Sequence, residues 1–256
     1  MQNVIEDLAP QAEPTSPPFA SPGLAAIDQL LRDVPAFLDR IREGKNLAEL
    51  ARAMILTVAV GAAVFGAAMG AHRGGIQVLY SAVKLPAVML LTTAVCAPAL
   101  TAFNAAFRRQ ASMRRDLSLV LSSLALTCLV LAAQAPIVFL AVELGAAYHT
   151  VILLVVGCCC LAGIVGLTLF QRGLGLDPSA GRWAVGIALL MVFGVVGTQM
   201  SWTLRPFLVR PRTPEAPFVR SLEGSFLAAV VTSSRSARGI YWRESAPLPG
   251  ESRRAP

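Results

Sequence analysis

The sequence predicts an all-α fold: a polytopic membrane helical bundle of about five transmembrane helices with an N-terminal amphipathic helix. Three observations predict it. Five long apolar stretches without charge occupy Ala53–Ala71, Leu85–Phe107, Leu117–Val142, Thr150–Gln171 and Trp183–Leu204. As a helix, about 20 residues at 1.5 Å rise cross the roughly 30 Å hydrocarbon layer. Charged residues make up only 14% of the 256-residue chain, against about 25% in a soluble domain, and the deficit falls in those stretches. Ahead of them, Ile27, Leu30, Leu31, Val34, Phe37, Leu38 and Ile41 recur at helical spacing.

Residues 1–22 read as a disordered tail, with prolines at 10, 14, 17, 18 and 22. The acidic start lacks the basic and apolar regions of a cleavable signal peptide, so the first span is expected to act as the targeting element. Residues 23–52 read as a cytosolic amphipathic helical region, divided or bent at Pro35. Asp28, Arg32, Asp33, Asp39 and Arg40 form its charged side. It is expected to lie on the membrane surface or on the protein's own cytosolic side, with partner docking as the sharper alternative. After a turn at Gly44, Asn46 stands three residues before Glu49, which predicts an N-cap with a capping box.

Residues 53–204 form the predicted transmembrane bundle. In its first span Ala62, Gly66 and Gly70 repeat every four residues. Small residues at that interval let a second helix approach closely, and packing within one molecule is favoured over a dimer contact. Residues 72–84 read as a connection in which Val78, Leu79 and Val83 form an interfacial helix with Tyr80 at headgroup level. The second span then opens near Pro86, with a kink expected at Pro98. The third stretch is long enough that we expect it to end near Gln134 and Pro136, leaving 137–149 as an interfacial or re-entrant piece. That piece contains Glu143, the one acid between Asp116 and Asp177, and His149. Cys96, Cys128 and Cys158–Cys160 all fall in apolar spans and read as small apolar helix residues rather than ligands. The fifth span ends in Gln199, Trp202 and Arg205 at i, i+3 and i+6, followed by Phe207. This predicts an anchored helix end, or a polar seam gripping a lipid or partner subunit. Residues 205–256 form a basic, extended C-terminal tail with one short helix expected at Leu222–Val231.

Charge sets the expected topology. Residues 1–52 carry five basic and eight acidic groups; 108–116 carry four Arg and one Asp; 205–256 carry nine Arg and four Glu. The Arg-rich 108–116 loop is expected on the cytosolic side, with the N-terminus beside it. Five spans then place the basic tail outside, against the rule, and a sixth crossing is the alternative. Anionic lipid is a simpler partner for this positive balance than nucleic acid, which is not expected.

No Gly-x-Ser-x-Gly, His-Glu-x-x-His or paired-aspartate motif occurs. No catalytic set, metal site or cofactor is therefore expected. The candidate partner or lipid contacts are Gln199, Trp202, Arg205, Phe207, Arg108, Arg109 and Glu143. The expected function is a non-enzymatic accessory or scaffold subunit of a larger membrane complex. The alternative is a small channel or transporter with Gln199, Asn104, Gln134, Glu143 and Pro98 along a polar path.

Gly70, Gly75-Ile76-Gln77, Ser81 through Pro86, Ala135-Pro136-Ile137, and Gln199-Met200 through Trp202 to Arg205-Pro206-Phe207 resemble an uncharacterised bacterial multi-pass inner-membrane family, broadly similar to the Yip1-like superfamily. The resemblance spans about residues 35–231 through scattered positions. It implies a cytosolic N-terminal region, five clustered spans and a membrane-organising or trafficking role in the bacterial inner membrane. No catalytic residue carries over from it.

Overall fold

A computed structural model of the chain describes residues 22–106, 112–146, 148–174, 187 and 191–197. Six helices stand out among them: α1 (Pro22–Arg32), α2 (Val34–Glu43), α3 (Leu47–Gly70), α4 (Ile76–Ala106), α5 (Met113–Glu143) and α6 (Tyr148–Leu174). Four of these, α3 to α6, are long and apolar enough to cross a membrane. The chain has the all-α, multi-helix architecture of a polytopic membrane protein. Within the fifth predicted stretch, 187 and 191–197 are helical. The tail 205–256, with its expected helix at Leu222–Val231, lies outside the described residues.

The amphipathic region is two helices, because Asp33 and Pro35 restart the chain. Proline lacks an N–H and is tolerated in a first helical turn, where that donor has no intrahelical partner. Asp33 caps the new helix, its Oδ1 accepting the Ala36 N–H at 3.1 Å. α2 stops at Gly44, whose φ of 75° is the left-handed region. There the Gly44 and Lys45 N–H groups return to the carbonyls of Ile41 and Arg40, closing the helix end. The apolar faces, Ala26 and Leu30 of α1 with Phe37, Leu38 and Ile41 of α2, are buried. They pack on one end of the bundle, against Leu50 and Met54 of α3, Leu119 of α5 and Phe170 and Leu174 of α6.

Three expectations need correction. The capping box is absent: Asn46 sits at φ 50°, ψ 37° and its side chain makes no cap bond. A capping side chain reaches the first-turn N–H groups from β-region backbone angles, which Asn46 does not have. α3 begins at Leu47 all the same, with Glu49 in its first turn, where the helix dipole favours an acid. The connection 72–84 is not an interfacial helix either. α4 starts at Ile76 and continues through Pro86 and Pro98 over 31 residues. Lastly, α5 does not break at Gln134 or Pro136 but runs unbroken from Met113 to Glu143. A 31-residue helix is about 46 Å long; it exceeds the hydrocarbon layer and is accommodated by tilt or by projecting from the bilayer.

α3 is the most buried span. α4 and α6 run antiparallel to α3 and α5, so α1 and α2 share an end with the starts of α3 and α5 and the end of α6. The interior forms two layers along the bundle axis. One joins α1, α2 and the neighbouring halves of α3, α5 and α6. The other, towards the opposite end, contains Phe65, Met69, Leu131, Val138, Val151 and Ala162.

Candidate functional site

The small-residue interval of α3 does its work inside the molecule. A Cβ added at Gly70 would stand 2.6 Å from Val78 Cα and 2.7 Å from the Gln77 carbonyl oxygen. One at Gly66 would stand 2.9 Å from the Ser81 carbonyl carbon and 3.1 Å from Ala82 Cα. The two backbones therefore touch, and only glycine fits at these positions. Gly61 makes a similar approach to the Cys128 backbone of α5.

This close seam holds a set of polar side chains. Gln77, Ser81 and Lys84 stand at i, i+4 and i+7, one face of α4. All three are fully enclosed, with relative exposures of 1%, 0% and 1%. The Gln77 amide donates from Nε2 to Ser81 Oγ at 3.3 Å. Lys84, Gln77 and Ser81 each take part in further interactions, as do the neighbouring His72, Arg73 and Tyr80. On the opposite face Ile76, Leu79 and Val83 are more than half exposed. Such an arrangement is inside-out relative to a soluble amphipathic helix and suits a helix whose outer face meets lipid. Deeper along α4 the inward face continues through Val88, Thr92, Thr93, Cys96 and Leu100, all buried.

An ammonium enclosed within a span is costly and marks a functional position by default. Lys84 offers three donors and a positive charge, chemistry suited to a carboxylate, a phosphate or clustered carbonyls. This site was missed in the sequence reading, although its signal was present. The 77/81/84 interval is helical, and Lys84 is one of only two lysines. Reading 72–84 as a connection with an interfacial helix leaves these polar groups without a role.

A second feature is a groove of about 240 Å³ bounded by α4, α5, α6 and Phe193. Its lining is mostly apolar, including Val120, Leu124, Leu167 and Phe170. The hydroxyls on its wall return to their own helices: Ser123 donates to the Leu119 carbonyl at 2.9 Å, Thr127 to Ser123 at 3.0 Å and Thr93 to Met89 at 2.9 Å.

Of the predicted contact residues, Glu143 is the last residue of α5 and is exposed. Arg108, Arg109, Gln199, Trp202, Arg205 and Phe207 lie outside the described residues. Of the residues expected along a channel's polar path, Pro98 and Glu143 are exposed and Gln134 is half-buried, while Gln199 and the Asn104 side chain lie outside what the structure describes. Cys96, Cys128 and Cys158 are buried and Cys159 and Cys160 exposed. The Cys128 and Met89 sulfurs are 3.3 Å apart. Among the described residues no group of three or more His, Cys, Asp or Glu is placed to hold a metal.

No protein-family model, curated protein or solved structure matches this chain. The fold and the enclosed polar face of α4 define the class, a multi-pass helical membrane protein.

Proposed function

We propose that the chain is a non-enzymatic accessory or scaffold subunit of a larger complex in the bacterial inner membrane, akin to Yip1-like membrane organisers. One observation carries this reading: the docked α1–α2 pair. Its apolar faces are committed to the bundle, while Asp28, Arg32, Asp39, Arg42, Glu43 and Lys45 face outward. A charged, preformed platform at one end of a membrane bundle is suited to holding a partner. Arg42, Arg114, Arg115 and Arg172 belong to this same end, and the positive-inside rule assigns it to the cytosol. The test is mass measurement of the full-length protein in native lipid particles. The expected result is an assembly larger than one copy that Asp28→Lys with Asp39→Lys disrupts. A single-copy mass with no companion protein defeats the proposal.

The enclosed Gln77–Ser81–Lys84 face favours a second reading, a small transporter whose ionisable side chain contacts the cargo. Under this reading proteoliposomes carry a flux that Lys84→Met abolishes. Wild-type flux equal to that of empty liposomes removes it.

A further inference from the structure

At the α1–α2 end, arginines of three separate helices converge and outnumber the carboxylates beside them. The α2 terminus is the meeting point. Arg42 donates from Nη2 to the Arg172 carbonyl at 3.3 Å, which brings α2 to the last turn of α6. Two residues further on, Gly44 faces α5: a Cβ there would stand 3.6 Å from both Nε and Nη2 of Arg115. Arg114 precedes Arg115 in the first turn of α5, and Arg40 lies in the last turn of α2.

The ion pairs among the described residues are Asp28–Arg32, Asp39–Arg42 and Glu43–Lys45. They neutralise Arg42 and Lys45. Arg40, Arg114, Arg115 and Arg172 take part in none of them. Asp116, beside Arg115 in the first turn of α5, is one carboxylate against these four arginines, so the cluster brings net positive charge to the end of a membrane bundle, at the level where an amphipathic helix pair meets the spans. Exposed Leu24 and Leu31 of α1 fit the same interfacial level.

We propose that Arg114, Arg115 and Arg172, gathered around the α2 terminus, bind the phosphate headgroup of an anionic phospholipid in the adjoining leaflet. Charge complementarity selects this occupant. Guanidinium groups take phosphate oxygens in paired hydrogen bonds, and a juxtamembrane basic residue gains about 1 kcal/mol from an anionic surface. The site adjoins the outward α1–α2 face at Arg42, but Arg114, Arg115 and Arg172 are not among the residues of that face, so variants of Arg115 and Arg172 test lipid binding while Asp28 and Asp39 stay in place.

The experiment is native mass spectrometry of the full-length protein, titrated with phosphatidylglycerol or with phosphatidylcholine of the same acyl chains. Phosphatidylglycerol is expected to bind more tightly. Arg115→Gln with Arg172→Gln is expected to weaken that binding roughly 30-fold, and Arg115→Gln alone roughly fivefold. The single variant decides the matter if the double variant loses helix content by circular dichroism. Millimolar inorganic phosphate is expected to leave lipid binding in place. The proposal is overturned if the two lipids bind equally, if the arginine variants keep the full preference, or if phosphate displaces the lipid. It is also overturned if the tail variant Arg253→Gln with Arg254→Gln alone removes the preference.

Discussion

The α3–α4 seam and the α5–α6 seam both contain glycine, yet they are built differently. Across the first, Gly66 and Gly70 face backbone atoms of α4. Across the second, a Cβ at Gly173 would meet only the Leu119 side chain and one at Gly166 chiefly the Thr127 hydroxyl, with the Ser123 carbonyl oxygen at 2.9 Å, while Gly157 and Gly163 face nothing within 4 Å. Backbone cannot move aside, whereas a side-chain end can rotate. The first seam is therefore closed and rigid and encloses Lys84. The second meets backbone at one point, the Ser123 carbonyl beside Gly166, and elsewhere side-chain ends that can adapt; it leaves the groove beside Thr127 and Gly166. Small residues govern helix approach only where the facing atoms are fixed.

The sharpest way to break this comparison is to add bulk on each side. Gly66→Val forces two backbones apart and is expected to cost about 3 kcal/mol, read from unfolding of the purified protein in detergent. Gly173→Val on α6 meets only the Leu119 side chain and is expected to cost about 1 kcal/mol. Equal losses for the two would show that the seams do not differ.

Charge reversal inside the closed seam comes next. Lys84→Glu replaces an accommodated ammonium with a carboxylate and is expected to cost about 3 kcal/mol, measured in the same unfolding assay. Wild-type stability would mean that water reaches Lys84 and the seam is not dry.

Smaller effects test the adaptable seam. Gly166→Ala makes Thr127 rotate and the Ser123 carbonyl shift, and is expected to cost about 2 kcal/mol. Adding Thr127→Ala is expected to recover about half of that, a coupling that a double-mutant cycle reads directly. Ser123→Ala removes one hydroxyl that already bonds within its own helix, and the expected loss is about 0.5 kcal/mol or less. A larger loss would show that the hydroxyl serves the groove.

The helices that were read most readily are those whose signal is local. α6 follows its apolar run to within a few residues, and Pro35 marks the division between α1 and α2. The Ala62, Gly66 and Gly70 interval also pointed to packing within the molecule. The errors share one cause. The sequence predicts a connection with an interfacial helix where Gln77, Ser81 and Lys84 lie inside a span, a helix end at Gln134 and Pro136, and a side-chain cap at Asn46. In each case the decisive term is an environment or a backbone angle that no short window contains.

Hydropathy and helical interval by themselves establish that this chain is a helical membrane protein, because apolar length and turn chemistry act over a few neighbouring residues. Which face of α4 is enclosed, and that arginines from α2, α5 and α6 meet, was decided by the packing of helices far apart in the chain. Burial and charge convergence exist only once those helices are brought together.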